Sequence, residues 1–440
     1  MTSPAPQVPS FGIDGELKRK LLFTLFVILI YRIGSHIVAP GVNVQALQAF
    51  ISSNSGTSTF FQLYDTLGGG LYRATIFALG IMPYISASII FQLLGGIVPT
   101  VSKMQKDEEG KKKLTQYTRY TAIMIAVSQA VTFTAFTESI PGALTNPGFA
   151  ARATMWFTLT VGAIFIMWLG EQITERGIGN GMSLLIAVSI IERLWPSTFS
   201  LLEQVQVGSV SFGVALLIVV LAVGSIAAVV AMTIAARRIP IQIPRKVMGR
   251  GRVREGQKTF IPIRLITAGV MPIIFAQTII IMPSTIASFT GNPTLTEWAN
   301  FFTPGDIPYD LVFGVMVVLF SYFYTSIIFN AVDLSENLKK QGGFIPGVKP
   351  GSATADYIDG VLGRITLPGS LFLAAVAIVP TFIARQFNYQ TVFGGTSVLI
   401  VVGVLLDTIS QIEQHRTLRK YDSFMKTGRV KFRGRQQRFI

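Results

Sequence analysis

The sequence predicts an all-α polytopic membrane protein with ten transmembrane helices in two inverted, pseudo-symmetric halves. Three observations carry this prediction: the composition, the recurrence of long apolar windows, and a repeated motif. Half of the 440 residues are hydrophobic, only 13% are charged, and the mean hydropathy is +0.54. Because a soluble domain carries about a quarter charged residues, lipid is the expected solvent of this chain.

Largely apolar windows of about 18–25 residues recur along the whole chain, and this length crosses a hydrocarbon core of roughly 30 Å as a helix. The first window follows a polar N-terminus and has no small-residue cleavage site, so we expect it to be retained rather than removed as a signal peptide. The ten predicted spans are Leu21–Ile37, Ala74–Val98, Tyr117–Phe136, Met155–Gly170, Met182–Trp195, Val210–Ala235, Leu265–Ser288, Leu311–Asn330, Ile365–Ile383 and Val398–Ile412.

Lys and Arg are distributed unevenly between alternate loops. The N-terminus, every second loop after it and the C-terminal tail carry 32 of the 37 Lys and Arg, whereas Arg32 lies inside the first span. Since Lys and Arg collect in cytoplasmic loops, both termini are expected in the cytoplasm, and the number of spans is even. Segment 235–264 carries nine of these charges, more than topology requires, which predicts a docking surface for an acidic partner or RNA.

A motif is repeated at an offset of 189 residues, with Gly80-Ile-Met-Pro-Tyr-Ile-Ser-Ala87 in the second span and Gly269-Val-Met-Pro-Ile-Ile-Phe-Ala276 in the seventh. Each half then contributes five spans, and an odd number reverses the orientation of the second copy. Such an inverted repeat places the functional pathway between the halves. A short apolar segment before the second span ends in three glycines. We expect it to lie against a central cavity, although an ordinary external loop fits the composition equally well.

Enzyme chemistry has little support in the sequence. The chain has no Cys, its only histidines are His36 and His415, and it has no HExxH, GxSxG or phosphate-binding glycine motif. We therefore predict neither catalysis nor a cofactor or metal. Asp407 and Glu171 are the best candidates for buried ionisable groups of the kind that pumps use, although Glu171 is expected to cap or pair at a helix end. On these residues alone, a secondary transporter is nearly as well supported as a channel, and a scaffold is the third possibility.

Four motifs closely resemble the SecY family, the channel subunits of the bacterial and plastid Sec protein translocase. They are GIMPYISASII at 80–90, WLGEQITERGIGNG at 168–181, NLKKQGGFIPGVKPG at 337–351 and FGGTS at 393–397. The resemblance runs in order from about Gly15 to the end of the last span. It implies two five-helix halves around an hourglass pore. It also implies a channel that translocates unfolded secretory polypeptides and releases transmembrane segments laterally into lipid.

The resemblance further implies an apolar constriction ring in this pore. A ring of flexible apolar side chains dewets when closed, yet deforms around a passing chain. Core packing is the alternative for each isoleucine taken singly. The implied ring residues are Ile81, Ile85, Met182, Ile186, Ile274 and Ile400.

A plug and a lateral gate are implied in the same way. The plug covers about 61–72, the gate lies where spans two and three face spans seven and eight, and a polar contact across it would contribute on the order of 1 kcal/mol. Glycine tolerates the dihedrals that a plug hinge needs. The plug and hinge residues are Phe61, Tyr64, Asp65, Gly68, Gly69 and Gly70, and the gate residues are Gln129 and the facing Thr278, with Gln277 beside it.

The resemblance also implies partners. The ribosome and the SecA motor ATPase would dock on the cytoplasmic loops 235–264 and 331–364, and the motor supplies the driving force. Small SecE-type and SecG-type membrane subunits, signal sequences, nascent polypeptides and lipid complete the set, in a bacterial inner membrane or, less expectedly, a thylakoid. The docking residues are Arg237, Arg238, Arg245, Lys246, Arg250, Arg252 and Lys349, the last standing where the family pattern has Arg.

These inferences divide the chain into a cytoplasmic N-terminus, two halves joined by a connection, and a basic tail. Residues 1–20 form the N-terminus, and residues 21–195 hold spans one to five. The connection and the sixth span occupy 196–234, the basic loop 235–264, spans seven to ten 265–412, and the tail 413–440.

Overall fold

The computed structural model describes residues 15–53, 64, 70–146, 148–208, 210–242, 247–248, 252–253, 258–290, 306–386 and 394–427. Within them the chain forms thirteen helices and four strands. The helices are α1 Gly15–Gly34, α2 Val44–Ser53, α3 Met82–Ile97, α4 Pro99–Lys106, α5 Glu108–Ser139, α6 Phe149–Arg176, α7 Gly181–Gln206, α8 Phe212–Ile234, α9 Met271–Thr290, α10 Ile307–Ile328, α11 Ala331–Lys340, α12 Ser352–Gln386 and α13 Gly395–Thr427. The strands are β1 Ala236–Gln242, β2 Val247–Met248, β3 Arg252–Val253 and β4 Lys258–Arg264.

Each predicted span falls on one of these helices, and the all-α polytopic architecture is confirmed. By length and composition, seven of the described helices could cross a membrane: α5, α6, α7, α8, α10, α12 and α13. The bent pair α3 and α4 makes an eighth, with an angle of 108° at Val98, which is extended before Pro99. Helix α1 begins with several charges, and the apolar stretch of α9 whose side chains are described, Met271–Ile281, is short. The count of ten is therefore not fixed by length and composition.

The second span is shorter than predicted, because residues 74–81 form turns and α3 begins only at Met82. Near the end of these turns lies Gly80, whose φ of +56° favours glycine, and the Gly80 N–H donates to Phe77 O. The seventh span begins in the same way: Gly269 has a φ of +61° and its N–H donates to Ile266 O. The repeated motif therefore has one backbone conformation in both copies.

The helices pack into two groups that follow the repeat. In the first group α3 packs on α5, α5 on α6 and α6 on α7, and in the second α9 packs on α10, α10 on α12 and α12 on α13. The groups meet along two seams, one where α9 lies against α3 and α5, and one where α13 lies against α7. One large apolar core extends across both groups.

The described residues of segments 235–264 and 331–364, which were predicted as separate basic loops, pack together into one unit, which we name the loop module. Strands β1 and β4 pair antiparallel from Ala236 opposite Arg264 to Gln242 opposite Lys258. Ile239 and Ile241 of β1 are buried and Pro240 between them is exposed, as the two-residue period of a strand requires. Gln242 exchanges backbone hydrogen bonds of 2.9 and 3.0 Å with Phe344, and a second apolar core joins the hairpin to α11 and α12. The sequence pattern predicts no strand in either segment.

Candidate functional site

The residues predicted to form the ring lie in the large apolar core and come from both helix groups. Ile81 and Ile85 stand at the start of α3, Met182 and Ile186 at the start of α7, and the remaining two on α9 and α13. Ile85 is 8% exposed and the other four isoleucines are 2% exposed or less. Met182 is half-buried and packs against the same core. Burial from both halves is what a closed apolar constriction requires.

The repeat places two of these residues at equivalent positions. Ile85 N donates to Ile81 O at 3.1 Å, and Ile274 N donates to Val270 O at 3.4 Å, each four residues back at the start of its helix. Both pairs are separated by the same 189 residues as the glycines before them. The two halves therefore present Ile85 and Ile274 from matching first turns.

Tyr64, in the predicted plug, is tied to the predicted gate. It is 2% exposed, and its hydroxyl donates towards Leu79 O at 3.2 Å and Gln129 Oε1 at 3.3 Å. One hydroxyl proton is therefore shared between a backbone acceptor before α3 and a side-chain acceptor on α5. The predicted residues Phe61, Asp65, Gly68 and Gly69 lie outside the described residues.

The last predicted hinge glycine, Gly70, has a φ of −113°, which lies outside the left-handed region that favours glycine. A Cβ atom there would lie 2.5 Å from Thr75 Oγ1, so close approach is the reason that glycine fits. Among the described residues of this segment, Ala74 is left-handed, with a φ of +44° directly after the turn Leu71–Arg73. The strained position therefore follows the predicted plug.

The predicted gate residues lie near the seam where α9 meets α3 and α5, but their contacts differ from the prediction. Thr278 Oγ1 donates to Ile274 O at 2.7 Å within its own helix, while Gln129 Oε1 accepts from Tyr64. Gln277 is 2% exposed, and its Oε1 atom has no hydrogen-bond partner among the described residues. A buried acceptor left in this state costs about 1–3 kcal/mol, so this seam contains a destabilising group.

The loop module presents a basic surface. Arg237 and Arg238 are exposed on β1, and the Arg238 guanidinium carbon lies 5.0 Å from the ring centre of Phe260, which is 53% exposed. This cation–π contact keeps the charge at the surface. Lys349 is exposed, and its carbonyl accepts from Thr354 Oγ1 at 2.9 Å. Arg252 begins strand β3, and the predicted residues Arg245, Lys246 and Arg250 lie outside the described residues.

The ionisable candidates are paired rather than poised as relays. Glu171 Oε1 lies 2.7 Å from Arg119 Nε, which confirms the expected pairing at a helix end. Asp407 Oδ1 lies 3.9 Å from a terminal nitrogen of Arg264. Each carboxylate therefore has a basic partner.

Sequence reasoning missed an ionic cluster at the end of the helices opposite the loop module. Glu192 of α7 pairs with Arg32 of α1, and its Oε1 lies 3.6 Å from His36 Nε2 and 3.5 Å from Arg73 NH1. Helix α1, helix α7 and the turn after the predicted plug are thereby joined. One sequence signal was available, since Glu192 is an acidic residue at the end of a span, on the side with few Lys and Arg.

Comparisons with known proteins agree on one family. The model of the SecY family matches residues 75–409. The chain is 41% identical to the protein translocase subunit SecY of Aquifex aeolicus over 93% of this chain and 97% of that protein. It is also 41% identical to the protein of the same name from Escherichia coli K12, over 96% of each chain.

Two solved structures share the fold at 18% identity, each matching 96% of this chain and 98% of theirs. One is described as a protein conducting channel, with a TM-score of 0.66, and the other as Sec61 in the canine ribosome-channel complex of the endoplasmic reticulum, with a TM-score of 0.62. The motifs, the inverted repeat and these matches together show that the chain belongs to the SecY family.

Proposed function

We propose that this chain is the channel subunit of a protein translocase, which conducts unfolded secretory polypeptides across a membrane and releases transmembrane segments laterally into lipid. The observation that carries the proposal is the burial of apolar residues from both inverted halves in one core, at the first turns of α3, α7 and α9 and on α13. The relatives at 41% identity are named as translocase subunits, which supports the same function.

In this function the six ring residues seal the resting pore. Apolar side chains bind no ions and exclude water when packed, so the closed ring blocks leakage without holding a passing polypeptide by specific contacts. A secondary transporter would need polar groups at this level to coordinate a solute. The buried isoleucines therefore favour the channel over the transporter.

The plug and the lateral gate act together through Tyr64. Its hydroxyl links the plug segment to Gln129 on α5, so a displacement of α5 away from Tyr64 breaks this link and frees the plug. The amide oxygen of Gln277 at the same seam has no hydrogen-bond partner among the described residues, which lowers the stability of the closed gate. An apolar signal helix that displaces α5 therefore meets a weak polar latch.

The loop module is the docking surface for the ribosome and for a SecA-type motor ATPase in this proposal. Its exposed arginines suit the phosphates of ribosomal RNA and the carboxylates of a motor. A related fold bound in a canine ribosome-channel complex supports the ribosome as a partner. Small SecE-type and SecG-type membrane subunits complete the assembly in a bacterial inner membrane, and the Lys and Arg asymmetry supports cytoplasmic termini.

Site-specific cross-linking tests the proposed function. Because the chain has no Cys, Ile85→Cys in the complete translocase places a single thiol in the proposed ring. A secretory chain stalled during translocation and carrying its own thiol is expected to form a disulfide with it. Val219→Cys, on the exposed face of α8, is the control and should not react.

Equal cross-linking at both positions would contradict a central path for the polypeptide. Accumulation of a small solute by the reconstituted protein, without any cross-link through Ile85→Cys, would favour the transporter.

A further inference from the structure

The loop between α6 and α7 is built as a tight joint, which we define as residues 170–182. Thr174 Oγ1 donates to Gly170 O at 2.9 Å and accepts from Gly181 N at 2.9 Å, so one hydroxyl ties the start of α7 to α6. A Cβ atom on Gly181 would overlap the carbonyl oxygen of Gly170. The first turn of α7 therefore lies directly on the backbone of α6.

The joint is also held from outside by two other helices. Ile178 N donates to Thr24 Oγ1 of α1 at 3.1 Å, and Gly179 N donates to Gln411 Oε1 of α13 at 3.0 Å. Asn180 Oδ1 accepts from Met182 N at 3.2 Å and caps α7. The backbone of the joint is held by α1, α13 and the cap of α7. A change in packing at the joint is therefore expected to move a side chain rather than the backbone.

That side chain is Met182. A Cβ atom added to Gly170 would overlap its Sδ atom and lie 3.0 Å from Cε and 3.4 Å from Cγ, so the thioether lies over the bare backbone of Gly170. Met182 packs against the large apolar core and also against a small cluster that contains Ala87 of α3, Ala122 of α5 and Met167 of α6. It is the least buried of the six ring residues.

We propose that Gly170 and Thr174 are positioning residues for the constriction ring. Thr174 holds the first turn of α7 against α6, and Gly170 leaves the space in which the Met182 thioether lies, so the joint determines how far this side chain extends into the ring. The inference rests on the proposed function, because it assumes that Met182 belongs to a ring that closes the pore. Gly170 and Thr174 lie outside this ring and act on it through Met182. Met182 also packs against the small cluster to which the two proposed gate helices α3 and α5 contribute.

The test is a double-mutant cycle on the complete translocase in vesicles, with the resting ion conductance as the measurement. Gly170→Ala fills the space and displaces the Met182 thioether. We expect the resting conductance to rise by about tenfold, which is the order of change when overpacking shifts the equilibrium between the sealed and the leaking ring. Met182→Val removes Sδ and Cε while keeping the Cγ position that the added methyl group tolerates. In that background Gly170→Ala should change the conductance by less than about twofold.

The controls separate this inference from the proposed function. Gly224→Ala on α8 has open space around the added methyl group and should leave the conductance unchanged. Met182→Val alone should raise the conductance, and no change would remove Met182 from the ring and with it this part of the proposed function. A second outcome would overturn the positioning role but keep Met182 in the ring. In it, Met182→Val raises the conductance, and Gly170→Ala raises it by the same factor whether residue 182 is Met or Val.

Thr174→Val provides a second test that does not depend on the folding of Gly170→Ala. It keeps the side-chain volume and removes the hydroxyl that joins Gly170 O to Gly181 N. We expect a rise in resting conductance that is again suppressed by Met182→Val. An unchanged conductance with Thr174→Val would overturn the proposal.

Discussion

Replacing Tyr64 by Phe keeps the ring and removes the hydroxyl that connects the proposed plug segment to Gln129 of the proposed gate. The phenol oxygen lies 3.2 Å from Leu79 O and 3.3 Å from Gln129 Oε1, both longer than the 2.5–3.0 Å of ordinary O–H···O bonds. A single proton shared over such distances is a weak link. Side-chain hydrogen bonds between membrane helices average about 0.6 kcal/mol. We therefore expect Tyr64→Phe to destabilise the closed state by about 0.5–1 kcal/mol, or roughly two- to fivefold in the closed-to-open equilibrium.

The assay is translocation of a precursor whose signal sequence is only marginally apolar. If opening must break the Tyr64 link, Tyr64→Phe lowers this requirement and raises the translocated fraction by a factor of the same order. Gln129→Leu should have a similar effect, and the double variant should add little to either, because both remove one shared contact. Tyr120→Phe is the matched control on α5, since this ring is 65% exposed.

Fully additive effects of Tyr64→Phe and Gln129→Leu would show that the two residues act separately. Translocation by Tyr64→Phe that matches the unchanged protein, for every precursor, would refute the latch altogether.

Three further predictions concern other parts of the molecule. Gln277→Leu removes a buried acceptor that has no partner in the part of the chain that the structure describes, so we expect the closed gate to be stabilised by about 1–3 kcal/mol and translocation of marginal precursors to fall. Arg237→Glu should weaken binding of ribosomes or of the motor at low salt and much less at high salt, since exposed charges are screened, whereas Arg152→Glu at the opposite end should not. Arg119→Ala leaves Glu171, whose side chain is 16% exposed, without its partner, and should lower the thermal unfolding midpoint of the purified complex.

The parts of the fold that could be predicted from the sequence depend on local composition. A membrane helix satisfies its own backbone hydrogen bonds, so an apolar window of sufficient length is nearly enough to define it. The repeat was visible for a similar reason, because a left-handed turn before a helix favours glycine at Gly80 and again at Gly269. Even there, the pattern did not show that residues 74–81 form turns rather than the beginning of the helix.

The loop module could not be predicted in the same way. Its strand β1 reads Ala-Arg-Arg-Ile-Pro-Ile-Gln, and the two arginines and the proline obscure the alternation that buries Ile239 and Ile241. The edge that pairs with Phe344 lies about a hundred residues away in the chain, and no local pattern specifies such a contact. A basic segment was therefore recognised by its charge, while its shape depended on a distant partner.

The site shows the same division between local and distant determinants. The ring positions came from a resemblance, because a buried isoleucine in a pore and one in a core have the same local sequence. The contacts that distinguish them join distant parts of the chain, as Tyr64 does with Gln129 across 65 residues and Glu192 with Arg32 across 160. The first contact lies inside the predicted plug, and Glu192 also lies 3.5 Å from Arg73 at the turn that follows it. Tyr64 and Arg73 are each held by a polar contact to a helix of the first group, so we expect a small motion of α5 or α7 to release them, and this is the property that a resting channel needs.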